Sequence, residues 1–287
     1  MGNLINNRWI KDGSTLKPKS GESVVLTSTL SSNHLVLDEI TTPTATSDKG
    51  KIYTKNTNVL YFQDGAGIEH PIGGTSYGEF KIADNATATV IRATNEWQAI
   101  TANAVTGLVS GFSYDAGLLG EIASVADAGG GSILITDTGH GLTIGNIISI
   151  NGNTDAAYNG VFEVLTTPTD DTFTVTATYT ATDTGYWQKG AALTVLAGGA
   201  GIYKGTWASC GISATNSHVF DFSPFVNTTQ ATAATARRKF SNADYGSFSG
   251  TELVTFAEGD IISFMARDIT GNSDITIRSL DLNLHKM

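Results

Sequence analysis

The chain has a single cysteine, Cys210, only 5 prolines and only 15% charged residues in 287 positions. One cysteine excludes an internal disulfide framework and any zinc cluster built on thiolates, and Cys210 reads as a small buried hydrophobe. Basic residues are scarce, 17 Lys and Arg against 27 Asp and Glu, for a net charge of −10. Phosphate backbones need a basic surface, so nucleic acid is not an expected partner. The charge favours solubility and mutual repulsion of monomers. No stretch approaches the about 18 apolar residues of a membrane span, so no membrane insertion is expected. The opening MGNLINNRWI lacks the apolar core of a signal peptide, and Asn6 stands where a myristoylation signal needs Ser or Thr. Phosphate loops, dinucleotide fingerprints and paired catalytic carboxylates are missing as well, so no cofactor is expected.

What is plentiful is glycine, 32 of 287 residues, in a background of Thr, Ser, Ala and Asn. That composition suits many short strands joined by tight turns, and predicts an all-β chain. The densest signal is Thr251 to Met287. Ile275 and Ile277 alternate with polar residues, then the phase slips by one, and Leu280, Leu282 and Leu284 carry the apolar face onward. A period of two changes phase only through an extra residue, so a bulge is expected near Arg278 and Ser279. Ile261 to Ile269 is apolar on both faces, which suits a strand covered by a second sheet on one side and by a partner subunit on the other. Ile261, Phe264 and Met265 are therefore candidate subunit-interface residues. With the turn Asp268 to Asp274 between them, the two runs read as a closing hairpin of a β-sandwich.

Residues 1–50 are poor in apolar side chains and cannot offset their ordering entropy alone, so they read as an extended attachment segment that orders on a partner. Lys51–Thr54 and Val59–Phe62 form a hairpin signal within a stem of residues 51–75. Strand patterns fill 76–120, with Gly78 to Ile82 and Ala88 to Arg92 the first of them. Residues 121–188 have shorter strands and Gly/Asn-rich turns, and the alternation in TFTVTATY (Thr172 to Tyr179) is the clearest in the chain. Longer strands return over 189–287, where Thr228 to Arg238 reads as helix or irregular strand.

Several segments taken in order resemble the virion proteins of tailed phages. GEFKIADNATATVI (Gly78 to Ile91), Trp97, Gly201-Ile-Tyr, RKFSNADYG (Arg238 to Gly246) and EGDIISFMARD (Glu258 to Asp268) resemble a jelly-roll domain similar in plan to the trimeric tumour-necrosis-factor and complement jelly rolls. KGKIYTK (Lys49 to Lys55) with LYFQDGAG (Leu60 to Gly67) is similar to the stem-to-head segment of phage fibres. TGHGLTIG (Thr138 to Gly145), YNGVFEV (Tyr158 to Val164) and DTFTV (Asp171 to Val175) resemble a small β module that recurs in phage tail and fibre proteins. The resemblance implies a jelly-roll β-sandwich with an inserted small antiparallel β module, residues 121–188, and an extended N-terminal attachment segment. It implies a homotrimer in a virion assembled in the host cytoplasm, anchored to other virion proteins through residues 1–50. The function implied is that of a non-enzymatic fibre or spike contacting a host-surface glycan or protein, or of a capsid-decorating protein. As an insertion in a loop, the module should be removable at about 1 kcal/mol, because closure entropy varies only as the logarithm of loop length.

Other candidates have simpler readings. Gly74 to Gly78 matches G-x-S-x-G, but a strand pattern follows where a nucleophile elbow needs a helix, so it reads as a loop. His140, between two glycines, has no second ligand at metal spacing and reads as a cap. Asp268, Thr270, Asn272 and Asp274 lack the Gly and bidentate Glu of a calcium loop and read as a turn. Tyr158, Tyr186 and Trp187, with Tyr179, are candidates for an aromatic surface offered to a sugar or partner, but the favoured reading is that at least two of them are module core.

Overall fold

The structure, a computed structural model, describes residues 9–12, 15–18, 40–55, 60–72, 76–102, 104–241 and 244–287. It is all-β, and among the described residues helix is limited to single 3-10 turns. The chain divides into two compact units, Met1–His70 and Pro71–Met287.

In the first unit β1 (Trp9–Asp12) and β2 (Thr15–Pro18) pair as a hairpin, and β3 (Lys51–Thr54), β4 (Leu60–Gln63) and β5 (Glu69–Ile72) form a three-stranded sheet in that order. The expected pairing of residues 51–54 with the 59–62 run is present, with Ile52 opposite Phe62. Residues 40–50 pack on this sheet instead of ending a separate segment: the Ile40 amide donates to the Thr54 carbonyl at 2.8 Å, and Gln63 Nε2 donates to the Pro43 carbonyl at 2.9 Å. The rest of the 1–50 attachment expectation falls mostly on residues 1–8 and 19–39, which lie outside the described residues. Glu69 organises the sheet, accepting hydrogen bonds from Lys55 at 2.6 Å, Thr42 at 2.8 Å and Tyr53. Lys55 and then Tyr53 hold its carboxyl down to about 2, while burial and then Glu69 push the Tyr53 phenol up to about 12.

The second unit begins with β6 (Tyr77–Ile82), β7 (Gln98–Ala99), β8 (Ala104–Ser110) and β9 (Phe112–Asp115). It continues with β10 (Leu118–Ile122), β11 (Ser124–Gly129), β12 (Ser132–Thr136), β13 (Ile147–Asn151), β14 (Gly160–Glu163), β15 (Thr166–Thr169), β16 (Thr172–Thr176) and β17 (Gly185–Lys189). It ends with β18 (Ala192–Val195), β19 (Gly201–Ser213), β20 (Val219–Val226), β21 (Thr229–Gln230), β22 (Ala236–Lys239), β23 (Gly246–Phe256), β24 (Ile261–Asp268) and β25 (Ile275–Lys286). Ala88 to Arg92 does not form a strand; only the bridge Thr89 to Ile275 is made there. Thr228 to Arg238 resolves into β21, a 3-10 turn at Thr232–Ala234 and the start of β22.

Two of the sheets make a β-sandwich. One is ordered β23-β19-β25-β6-β8; the other is ordered β21-β20-β24-β18-β9, with β22 also on β20 and β7 on β24. Their inner faces meet in an aromatic core: Phe80, Tyr203, Trp207, Phe248 and Phe256 from the first, Phe112, Phe220, Phe222 and Phe264 from the second. Phe222 stacks on Phe248 with centroids 3.8 Å apart, and Trp207 meets Phe264 edge-on at 4.8 Å. The bulge expected near Arg278 is there. Cys210 faces Ser279 while Gly211 faces Ile277, so Arg278 is the extra residue, and both Ile275 to Ile277 and Leu280 to Leu284 reach the core.

The closing hairpin is not formed. β24 lies between β20 and β18, and β25 between β19 and β6, so the turn after Asp268 arches from one sheet to the other. Strand alternation fixes which face is buried but leaves the neighbour open. The arch is held by the buried Asp268 carboxylate, which accepts the amides of Thr270 (2.9 Å), Gly271 (3.1 Å) and Ser273 (2.9 Å) and the ring of His218.

Residues 118–189 build two further four-stranded sheets, β10-β17-β13-β14 and β11-β12-β16-β15. They enclose a cluster of their own, including Ile133, Ile135, Ile148, Ile150, Tyr158, Phe173, Val175 and Trp187. Chain exit and return are adjacent, since Asp115 pairs with Ala192 and Leu118 with Lys189. Gly117 lies at this junction, where a Cβ would sit 3.1 Å from the Lys189 carbonyl, and the Lys189 ammonium contacts Asp115 at 2.7 Å. The module also rests on the sandwich: Ile147 and Val161 pack with Trp97, Phe225, Ile261 and Met265, and the Ala99 amide donates to Ser149 Oγ at 2.9 Å.

Candidate interaction surface

The outer face of the five-stranded sheet follows from its register. One row across β8, β6, β25, β19 and β23 runs Val105, Lys81, Asp281, Ala208, Ser249; β6 to β23 supply a second, Glu79, Asn283, Thr206, Thr251, and a third, Tyr77, His285, Lys204, Leu253. The middle is thus polar or small, and large apolar side chains stand at the two margins. Val105 and Leu108 on β8 are 57% and 71% exposed, and Ile202 and Leu253 at the opposite margin are 56% and 65% exposed. Glu79 bridges to Lys81 at 2.7 Å and accepts the Leu108 amide at 3.0 Å. Burial pushes its carboxyl up, but Lys81 and that amide outweigh burial and hold it below the usual value. A Cβ at Gly107 would lie 2.0 Å from the Glu79 carboxylate, so a larger residue there would displace that side chain.

Two of the three aromatic candidates are module core. Tyr158 is fully buried, and its hydroxyl accepts the amides of Thr180 at 2.7 Å and Ala181 at 3.1 Å. Trp187 is buried as well, its indole N–H donating to Asp137 at 2.7 Å. Tyr186 lies under the guanidinium of Arg92, 3.3 Å from the ring centroid. Tyr158 and Trp187 are module core, and Tyr186 is half-buried beneath Arg92; alternation along a strand cannot tell a wet face from one covered by another sheet. The interface candidates are likewise engaged within the chain. Phe264 points into the sandwich core, Met265 is fully buried on the other face, and Ile261 is half-buried beside it. What covers the second apolar face of β24 is the module, not another subunit.

The polar candidates are consumed by structure. Ser76 is followed by β6 rather than by a helix. Asp268 uses its oxygens on the arch; burial pushes its carboxyl up, and the amides of Ser273 and Thr270 with His218 overcome that and hold it below the usual value. Asp274 Oδ1 accepts the Ile91 amide at 2.9 Å. Among the described residues no group of His, Cys, Asp and Glu is arranged to hold a metal. His140 is buried, with Nδ1 accepting the Leu142 amide at 2.9 Å.

Two features escaped sequence reading. The paired apolar margins emerge only once β8 and β23 are placed at opposite edges. Asp221, buried on β20, is clamped between Arg237 on β22 (2.7 Å) and Arg267 on β24 (2.9 Å), and Arg267 also covers Trp97 at 4.6 Å. Burial pushes the Asp221 carboxyl up, and the two guanidiniums pull it below its usual value. No protein-family model matches the chain, and no curated protein sequence matches it.

Proposed function

We propose that the chain is a non-enzymatic structural protein of a tailed-phage virion. In this reading it is a homotrimeric fibre or spike anchored through residues 1–50, and its sandwich is the exposed head that contacts a host-surface glycan or protein. The observation that carries the reading is the connectivity of the sandwich. From β18 to β20 and from β22 to β25, successive strands alternate between the two sheets, a connectivity that supports the jelly-roll reading of the sandwich. That is the head fold implied by the resemblance of Gly78 to Ile91, Arg238 to Gly246 and Glu258 to Asp268 to phage virion proteins. Support for the trimer has moved from β24 to the outer face of the five-stranded sheet. Two unlike apolar margins, Val105 with Leu108 and Ile202 with Leu253, suit a head-to-tail contact, and such heterologous contacts form a closed ring where the rotation between subunits closes.

Light scattering of the full chain tests the assembly: a species of three times 30.1 kDa is expected, and Leu108→Arg with Leu253→Arg should dissociate it. A wild-type monomer at micromolar concentration overturns the trimer. Immunogold labelling of purified particles tests the location. Label on a projecting fibre is expected, label spread over the head shell would transfer the protein to capsid decoration, and unlabelled particles overturn the virion role.

A further inference from the structure

The loop of residues 137–146, joining β12 to β13, carries two ionisable side chains, Asp137 and His140, and the setting of His140 is specific. The ring is 6% exposed and lies edge-on to Phe173 at 5.2 Å between centroids. Nδ1 accepts the Leu142 amide at 2.9 Å, so that nitrogen carries a lone pair. Nε2 lies 3.3 Å from each of the carbonyls of Thr169 and Thr172, so it carries the proton. The main chain of the loop is tied to the same hairpin, the Gly139 amide to Asp171 Oδ1 at 2.9 Å and the His140 amide to the Asp170 carbonyl at 3.2 Å. Gly139 and Gly141 take φ of +67° and +64°, which lets the loop fold back over the ring. Beside it is a cleft lined by His140, Leu142, Thr167, Thr169 and Asp170.

We propose that His140 is a proton-operated latch that fastens this loop to the β15–β16 hairpin. The neutral ring satisfies all its neighbours. A second proton, taken from solvent, can go only to Nδ1, where the Leu142 N–H already points; donor then faces donor, and that hydrogen bond is lost. The Nε2 side is unaffected, because it donates in both states. Release therefore begins at Leu142, whose side chain belongs to the module core, and widens the cleft. The ionisable groups in contact with the loop are Asp170, which lines the cleft, Asp171, which accepts the Gly139 amide, and Asp137 at the start of the loop, which accepts the Trp187 indole N–H. All three are acidic, and Asp170 stands at the cleft through which the ring would swing out. The module thus has a closed state with the ring neutral and an open state with the ring doubly protonated.

Native-state hydrogen exchange on the full chain tests this at about pH 7.5 and about pH 5, either side of the ordinary imidazole range. Protection of the Leu142 amide should fall about tenfold relative to Ile133 and Ile148, the scale of one lost hydrogen bond. In His140→Asn the side-chain oxygen can accept the same amide and does not titrate, so protection should hold at both pH values. A wild-type Leu142 amide indifferent to this pH change overturns the latch. So does an equal fall in the Asn variant, which would assign the effect to the aspartates. Should that variant not fold, nitrogen-15 shifts of the wild-type ring decide: Nδ1 protonation and the Leu142 amide shift must share one midpoint, and separate midpoints overturn the proposal.

Discussion

The sandwich and the module are both antiparallel two-sheet structures, yet they are wired in opposite ways. In the module, consecutive strands stay together: β11 with β12, β13 with β14 and β15 with β16 are hairpins. In the sandwich, the chain changes sheets at most connections, and its longest pairings join β19 to β23 and to β25 across the sequence. The cores differ too. The module is filled chiefly by Ile and Val, with Tyr158, Phe173 and Trp187, while the sandwich depends on interlocking aromatic rings. Locally paired strands can be recognised from the sequence, and tolerate change at their turns. Strands paired at long range depend on register held far away.

The largest expected effect sharpens that contrast. Deleting Arg278 removes the bulge and turns either Ile275 and Ile277 or the three leucines toward solvent, so no cooperative near-UV melt should survive. Inserting one glycine at Gly130, whose surroundings are open, should cost the module only a few tenths of a kcal/mol in urea unfolding. Equal tolerance at both sites would break the comparison.

Excising residues 121–188 should cost far more than the about 1 kcal/mol of loop closure. It uncovers Met265 and Phe225, each worth about 1.5–3 kcal/mol when buried, so a loss of about 3–6 kcal/mol in denaturant midpoint analysis is expected. Repolarising the face with Met265→Thr and Ile261→Thr should restore soluble expression of the shortened chain. A shortened chain of wild-type stability would mean that the module only rests on the sandwich.

Asp221→Ala leaves two guanidiniums facing each other across β20, one of them half-buried, and should lower sandwich stability by about 2–3 kcal/mol by chemical denaturation. The module amides should keep their relative protection.

Acid gives the smallest effect in the physiological range. The carboxyls of Asp221 and Asp268 are held below their unfolded value, so the stability they contribute is present above about pH 4 and is lost as pH falls through their folded values. Asp268→Asn should flatten the acid limb of a pH–melting curve for the sandwich. A limb that is unchanged would place acid sensitivity elsewhere.

The sequence by itself determined the all-β class, the inward faces of β25 and the bulge at Arg278, because a period of two and its slips are written in neighbouring residues. In TFTVTATY, Phe173 and Val175 are fully buried, as the alternation requires, and Thr174 between them is buried as well. Only the tertiary structure decided what lies beyond each face. It turned the expected closing hairpin into an arch, covered Met265 with the module instead of a subunit, and withdrew Tyr158 and Trp187 into a core. It also brought Asp221 between two arginines from strands that flank β20. The reason is physical: alternation records that a face is dry, and only long-range pairing decides which element keeps it so.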